Sequence, residues 1–124
     1  MFFLVARAYL SLIRFEVFLA RGNFAALHDA VRRRPCRSGG YDPRSIEQVT
    51  SAVDLACIWY WKHALCLQRS AATVCLLRDQ GVPAQLVIGA QHMPFQAHAW
   101  VEVEGRVVND KSYTNEIYAV LDRC

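Results

Sequence analysis

The sequence has no uncharged apolar run of the roughly 18 residues that a membrane-spanning helix needs. Its most apolar segment, residues 1–20, is interrupted by Arg7, Arg14 and Glu16. A secretory signal peptide carries its charge ahead of the apolar run and none within it, so this segment does not match one either. We therefore expect a cytoplasmic protein without a membrane span.

Metal-ligand spacings, internal repeats and low-complexity segments are also missing. No two cysteines or histidines are spaced as C-x-x-C or H-x-x-x-H, so the sequence indicates neither a metal nor a cofactor. The five cysteines form no repeated pair, which favours free thiols in a reducing compartment. With 124 residues, 54% of them apolar, the chain is predicted to be one folded domain.

Acidic residues are scarce in the first third of the chain, where eight arginines occur. They are Arg7, Arg14, Arg21, Arg32, Arg33, Arg34, Arg37 and Arg44. No aromatic-basic motif accompanies them, so we expect no nucleic-acid partner. An acidic peptide or protein partner is compatible with this pattern. A solvated basic face is its simplest interpretation.

Helical periodicity predicts that the chain begins with a helix over Met1–Ala20. Arg7 and Arg14 lie on one polar stripe of this helix, and its remaining face is apolar. We interpret it as an amphipathic helix that packs on this domain or on a partner. Attachment to a membrane surface is the alternative.

A second helix is predicted over Phe24–Arg34, because Asn23 can cap its start and Pro35 stops it. Its apolar face contains Phe24 and two aliphatic residues, Leu27 and Val31. The following segment, Cys36–Arg44, is rich in glycine and proline and is predicted to be an exposed loop.

Two further helices are predicted, one after the loop and one that ends before Pro83. The earlier one begins with Asp42 as cap and Pro43 at its first position, or with a capping box of Ser45 and Gln48. Its buried stripe is predicted to contain Ile46, Val49, Val53, Cys57 and Tyr60. The later one has a helical pattern over Leu65–Gln80 and is ended by Gly81. No glycine or proline lies between Cys57 and Cys66, so periodicity alone does not establish that a helix begins near Cys66.

After Pro83 the apolar period changes from that of a helix to that of a strand. The predicted strands are Gln85–Ile88, His98–Glu104, Arg106–Asp110 and Tyr118–Leu121, with a loop at Gly89–Gln96 and a hairpin turn at Glu104-Gly105. Helices come first and an antiparallel sheet follows, so we predict an α+β fold.

Two cysteines of the fourth helix compete for the role of a nucleophile. Cys66 and Cys75 lie on opposite sides of a helix, at about 100° per residue. Cys75 stands between Val74 and Leu76 in mid-helix and is predicted to be core. Cys66 lies where free N–H groups of a helix start would stabilise a thiolate. Residue types alone leave both a structural and a catalytic Cys66 open.

Among the histidines, His98 is the candidate general base because a strand holds a side chain better than a loop does. A structural role for a histidine that opens a strand is equally compatible with the sequence. His28 lies in a basic helix, His63 precedes Cys66, and His92 falls in the predicted loop.

Asp110 is the candidate orienter of His98, since a carboxylate fixes the imidazole tautomer. The hairpin between them allows two registers. A two-residue turn pairs Val103 with Arg106 and would turn Asp110 away from His98, whereas a three-residue loop or a bulge places both on one face. We predict the second register, with Asn109 as substitute orienter under the first.

These residues resemble the lasso-peptide leader peptidases of bacteria, which are transglutaminase-like, papain-related cysteine peptidases. The resemblance rests on five blocks in order: Cys66-Leu-Gln-Arg-Ser70, Leu86-Val-Ile-Gly89, Pro94-Phe95, Ala97-His-Ala-Trp-Val-Glu102 and Asp110. It covers roughly Ser51 to Asp110, with weaker similarity in the N-terminal helix.

The resemblance implies a transglutaminase-like core in which Cys66, at the start of a helix, is the nucleophile, His98 the general base and Asp110 the orienting acid. The chain would then be a single peptidase domain, with residues 1–35 as a helical N-terminal part and residues 42–124 as the catalytic core. The implied reaction removes the leader from a ribosomally made precursor peptide. A separate ATP-dependent lasso cyclase would then close the ring.

In the resembled family a small leader-binding domain is either fused to the peptidase or made as a separate chain. The helical N-terminus here lacks the strand-rich pattern of such a domain, so we expect a separate leader-binding protein as partner. For the oxyanion of the reaction we expect the N–H of Cys66 and a second donor within residues 59–63.

Three other functions remain compatible with the sequence. The same three residues could transfer an acyl group to an amine, as in transglutaminases or arylamine acetyltransferases, which a stable amide product would reveal. A non-catalytic docking module would keep the fold without a reactive thiol. A basic nucleic-acid adaptor would show binding that falls steeply with salt.

Overall fold

A computed structural model describes residues 2–61, 65–92, 95–112 and 114–124 of the chain. The helices are α1 (Phe2–Ala20), α2 (Phe24–Arg33), α3 (Arg44–Trp59), α4 (Cys66–Asp79) and the short α5 (Thr114–Ile117). The strands are β1 (Ala84–His92), β2 (Phe95–Val103), β3 (Arg106–Val107) and β4 (Ala119–Arg123). They form an antiparallel sheet in the order β3-β2-β1-β4, which confirms the predicted α+β class.

Helix α4 occupies the centre of the fold. It is buried from Ser70 to Arg78, and it packs on α1 and α3 on one side and on β1 and β2 on the other. A helix enclosed in this way shows little amphipathic contrast in its sequence. Helix α1 contributes Ala8, Leu12 and Phe15 to the core, so its packing on this domain is confirmed.

Capping residues start α2 and α3 close to where the sequence predicts. Asn23 Oδ1 accepts a hydrogen bond from Ala26 N at 3.0 Å, which confirms Asn23 as the cap of α2. Asp42 Oδ1 accepts one from Arg44 N at 2.9 Å, and α3 begins at Arg44. The alternative capping box was wrong, because Ser45 is a buried residue inside the helix.

The buried stripe of α3 matches the prediction closely. Val49 and Val53 are fully buried, Tyr60 is nearly so, and Ile46 and Cys57 are partly buried against the same core. On α2, Leu27 and Val31 are buried as predicted, whereas Phe24 is 46% exposed. Phe24 therefore lies at the margin of the apolar face, where the helix begins.

The predicted loop at Gly89–Gln96 was wrong over its described residues. Strand β1 continues to His92, β2 begins at Phe95, and Gly89 pairs with His98 within the ladder. His98 therefore lies inside a strand and does not open it. A glycine usually weakens a strand prediction, but this one has a packing role on the sheet that depends on residues far along the chain.

The predicted register of the β2–β3 hairpin was also wrong. Val103 pairs with Arg106 and Glu102 with Val107, so the turn has two residues. Glu104 and Gly105 both have positive φ, 52° and 80°, as a type I′ turn requires. Strand β3 then ends at Val107, three residues before the predicted end, and this early end changes where Asp110 points.

Some predictions concern residues that are not among those described. They are Met1 of the first helix, His63, Pro94 and the part of the predicted oxyanion-donor segment 59–63 that lies at residues 62–63. Over the ranges that are described, no helix combines the length and the apolarity needed to cross a bilayer.

The side chain of Arg78 ties α4 to three other parts of the chain. Its guanidinium donates to the carbonyl oxygens of Ala84 at 3.0 Å and Cys124 at 2.6 Å, and also to the carbonyls of Val31 and Arg34 in α2 and its C-cap. Arg78 is only 8% exposed; its bonds to Ala84 and Val31 are buried, and those to Arg34 and Cys124 are partly buried. Water is therefore a poor substitute for this donor at the buried carbonyls.

Replacement of Arg78 by Met should therefore lower the free energy of unfolding by about 3 kcal/mol, because several buried acceptors lose a charged donor. Urea unfolding followed by circular dichroism measures this loss. Arg106→Met, at an exposed position after the turn, is the matched control and should change stability by less than about 0.5 kcal/mol. Equal effects of the two substitutions would contradict the role of Arg78.

Candidate active site

Cys66 is the first residue of α4 and is exposed. Its N–H is one of the first four in the helix, which have no acceptor within the helix itself. These N–H groups and the positive end of the helix dipole favour a negative charge at this position. The helix start at Cys66 that the family resemblance implies is confirmed.

Gln68 holds the first turn of α4 in place. Its Oε1 accepts from Leu65 N at 3.3 Å, and its Nε2 donates to Leu12 O at 2.6 Å and to Tyr60 Oη at 3.1 Å. Gln68 is 1% exposed, so these bonds are shielded from water. The position of Cys66 is thus tied to α1 and to the C-cap of α3.

Three of the other four thiols are in surroundings that disfavour the thiolate. Burial raises the pKa of Cys57, Cys75 and Cys124 above the ordinary value of a cysteine. Cys36 is exposed in the loop before α3. Cys66 is therefore the exposed thiol that also lies at a helix N-terminus.

His98 and Asp110 form a close pair. His98 Nε2 donates to Asp110 Oδ2, and the two atoms are 2.5 Å apart. This bond assigns the proton to Nε2, which leaves Nδ1 as the nitrogen able to accept a proton. Among the described residues Nδ1 has no hydrogen-bond partner.

Two aromatic rings hold the imidazole of His98. Its ring centroid lies 6.0 Å from Trp100, at an interplanar angle of 29°, and 5.2 Å from Tyr118. Trp100 is itself fully buried and donates through Nε1 to Glu102 Oε2 at 2.9 Å. The face of β2 that carries His98 is thus a rigid surface.

Gly89 leaves the space that these rings occupy. A Cβ at this position would lie 2.6 Å from Trp100 Cη2 and 3.0 Å from Tyr118 Cβ. Gly89 pairs with His98 across the two strands, so the absence of a side chain there permits the aromatic packing around the imidazole.

Asn109 explains how Asp110 reaches His98 in a register that was expected to prevent it. Val108 N still donates to Val101 O at 3.0 Å, but Val101 N donates to the side-chain Oδ1 of Asn109 at 2.8 Å. The side chain of Asn109 thereby takes a backbone acceptor's place, the ladder ends, and the chain turns. Asp110 then lies beside His98 without following strand alternation.

Two residues of α4 secure Asn109 from the other side. Asn109 Nδ2 donates to Ser70 Oγ at 3.0 Å, and Ser70 Oγ donates to Ala99 O at 3.2 Å. Arg69 donates to Asp54 Oδ1 at 2.7 Å and more weakly to Asn109 O at 3.5 Å. The helix that carries Cys66 therefore also positions the residue before Asp110.

The carboxyl group of Asp110 has a lowered pKa. Burial alone would raise it, but the hydrogen bond from His98, the N–H of Lys111 and the charges of His98 and Arg69 together outweigh burial. Lys111 N lies 2.8 Å from Asp110 Oδ1, so both oxygens of the carboxylate have a donor. Asp110 is thus held as an anion next to the imidazole.

Cys66 and His98 meet at a cavity of about 150 Å³. Its other walls are the apolar side chains of Phe24, Leu67, Ile88, Ala97 and Ala99. Within the part of the chain that the structure describes, no hydrogen bond joins Cys66 Sγ to His98. The structure therefore places Cys66 and His98 at the lining of one cavity, and His98 is paired with Asp110.

Within the described ranges, no cluster of three or more His, Cys, Asp or Glu side chains could hold a metal ion. A second histidine-carboxylate pair lies elsewhere, where His28 Nε2 and Asp122 Oδ2 are 2.5 Å apart and join α2 to β4. The sequence argument found neither this pair nor the supporting roles of Gln68 and Ser70.

Comparison with known proteins identifies the family of the chain. The family model described as the transglutaminase-like superfamily matches residues 9–123, nearly the whole chain. The chain belongs to the transglutaminase-like superfamily. Over 45 residues it is also 47% identical to the microcin J25-processing protein McjB of Escherichia coli. That match covers 36% of this chain and 22% of McjB, so the chain spans about a fifth of the curated relative it matches. No solved structure matches the chain.

In this superfamily member we expect the carboxyl group of Asp110 to titrate below the ordinary range of aspartate in a carbon-detected NMR titration. Its folded-state pKa lies below the unfolded value, so its ionisation contributes stability that is present above the unfolded pKa and lost as pH falls through the folded one. Asp110→Asn should therefore cost more stability at about pH 5 than at about pH 2.

His98→Ala provides the control for the Asp110 titration. It removes the hydrogen bond and the charge that lower the pKa of Asp110, so the NMR midpoint should move upward. A midpoint that does not move in His98→Ala would show that the pair is absent in solution.

Gly89→Ala should displace the rings around His98, because the new methyl group overlaps Trp100. We expect a stability loss of about 1–3 kcal/mol, typical of overpacking, together with changed NMR shifts of the His98 ring. Gly22→Ala is the matched control, since Gly22 has a φ of 66° and open space around it. That control should lose stability through backbone strain and leave the His98 signals unchanged. Unchanged His98 signals in Gly89→Ala would contradict the packing argument.

Proposed function

We propose that this chain is a cysteine peptidase that removes the leader from a ribosomally synthesised lasso-peptide precursor before macrocyclisation. The observation that carries the proposal is the His98–Asp110 pair, with His98 on the same cavity as an exposed cysteine at a helix N-terminus. Membership of the transglutaminase-like superfamily and partial similarity to a microcin J25-processing protein support a role in peptide maturation.

In the proposed reaction, Cys66 is the nucleophile and His98 the general base. When the side chain of Cys66 turns across the cavity, its thiol transfers its proton to Nδ1 of His98, the ring nitrogen that Asp110 leaves free. The thiolate then attacks the carbonyl carbon at the junction of leader and core. Asp110 keeps the imidazole in the required tautomer and stabilises the imidazolium that forms.

The tetrahedral intermediate collapses when His98 returns its proton to the leaving amine, which becomes the N-terminus of the core peptide. The leader remains as a thioester on Cys66. His98 next removes a proton from water, the water oxygen attacks the thioester, and the leader leaves with a free carboxylate while Cys66 recovers its proton. The N–H of Cys66 is one donor to the oxyanion in both steps.

The proposed partners follow from the same chemistry. The substrate is a precursor peptide, and a separate leader-binding protein presents it to the site. The released core amine is the group that a lasso cyclase would join to an acidic side chain. Cleavage therefore has to precede ring closure.

The first test measures the reactivity of each thiol, because it needs no knowledge of the precursor. We expect iodoacetamide at about pH 6 to modify Cys66 at least about tenfold faster than Cys36, as read by peptide mass mapping. His98→Ala should remove that lead, since the imidazolium that stabilises the thiolate is gone. Cys36 is the built-in control in every sample.

The product of the reaction separates the proposal from its alternatives. With a lasso-precursor peptide and its leader-binding protein, the wild type should release leader and core, and Cys66→Ala should release neither. Asp110→Ala should slow the release by about 10²–10⁴-fold. A stable amide formed with an added amine, without hydrolysis, would indicate an acyl transferase. If Cys66 is alkylated no faster than Cys36, both in the isolated chain and with the partner protein, the chain would be a non-catalytic docking module.

A further inference from the structure

The cavity that Cys66 and His98 line has mostly apolar walls. Phe24 of α2, Leu67 of α4 and Ile88 of β1 line it together with two alanines of β2. Of the residues that line it, only Cys66 and His98 carry polar side-chain atoms. An apolar cavity of about 150 Å³ is large enough to hold a benzene-sized group.

We infer, on the basis of the proposed function, that this cavity binds one apolar side chain of the peptide substrate beside the scissile bond, and that Phe24 sets the size of the side chain accepted. The ligand is a branched aliphatic or phenyl side chain. It lies close to the reacting carbonyl because Cys66, the proposed nucleophile, lines the same cavity.

The chemistry of the walls disfavours charged side chains. A carboxylate or ammonium group that enters this cavity loses water and meets no compensating hydrogen-bond partner on the apolar walls, which is costly. An aliphatic group gains free energy as its surface leaves water. The walls therefore favour an apolar substrate side chain, independently of contacts with the peptide backbone.

The size of the cavity depends on small residues on one side and on a large residue on the other. Ala97 and Ala99 of β2 leave the space open, and Phe24 closes it from the opposite element. Phe24 is half-exposed and belongs to no part of the buried core. Its ring is therefore free to determine the cavity volume without a structural function in the core.

Several contacts fix the position of Phe24 at the start of α2. The cap at Asn23 defines where the helix begins, and the ring of Phe24 lies 6.0 Å from that of His28. His28 in turn binds Asp122 of β4 at 2.5 Å. The wall is thus anchored to the edge of the same sheet that carries His98.

The test uses the full chain and a series of N-acetyl amino-acid chloromethyl ketones, which alkylate a thiol next to a bound side chain. One series varies the residue at the ketone, and a second series places glycine there and varies the residue before it. Modification of Cys66 is followed by mass. In one of the two series, leucine should react about 10- to 100-fold faster than alanine, and glutamate and lysine should react no faster than alanine.

Variants at Phe24 test the size limit. Phe24→Ala enlarges the cavity, so the rate for a naphthylalanine probe relative to leucine should rise about tenfold. Phe24→Trp should change that ratio in the opposite direction and lower the preference for leucine. Phe3→Ala makes the same chemical change on the exposed surface of α1 and should leave every ratio unchanged. The iodoacetamide rate at Cys66 is measured in all four proteins and used to normalise each chloromethyl ketone rate.

Two results would overturn the inference, and they have different meanings. If Cys66 reacts rapidly with iodoacetamide but shows no side-chain preference in either series, or a preference that neither Phe24 variant changes, the specificity pocket is wrong and the proposed peptidase stands. If Cys66 is no more reactive than Cys36 towards every reagent, the proposed function fails and the pocket fails with it.

Discussion

One amide side chain determines how the candidate site is assembled. Asn109 accepts the N–H of Val101 and donates to Ser70, so it ends the third strand and links the sheet to the central helix. Without this substitution of a side chain for a backbone acceptor, the hairpin would continue and strand alternation would direct Asp110 away from His98. A histidine-carboxylate pair thus depends on a residue that belongs to neither member of the pair.

The parts of the structure that local signals control could be predicted from the sequence. Caps such as Asn23 and Asp42 act within a few residues, and the glycine after α4 adopts the positive φ expected of a helix C-terminus. The positions of the four long helices follow from these signals and from apolar periodicity. The placement of Cys66 at a helix start needed more, and the motif resemblance supplied it.

The predictions that were wrong concern residues whose contacts lie far away in the chain. Gly89 looks like a loop residue, because only the assembled sheet shows that Trp100 and Tyr118 need its missing side chain. The predicted hairpin register was wrong because Glu104 adopts a left-handed backbone conformation that is uncommon for glutamate. Phe24 was assigned to a buried face by its spacing, yet it lies at the rim of the cavity beside Cys66. Periodicity predicts which face of a helix is apolar, but not which residues pack against that face.

The residue spacing in the first turn of α4 also constrains the site. Cys66, Arg69 and Ser70 are spaced by three and four residues, so they share one side of the helix, and two of them contact Asn109. One residue inserted after Cys66 would rotate the later pair by about 100° relative to the thiol and shift it by about 1.5 Å. The motif can therefore accept exchanges of side chain far more readily than any change of length, and its spacing carries as much structural information as its letters.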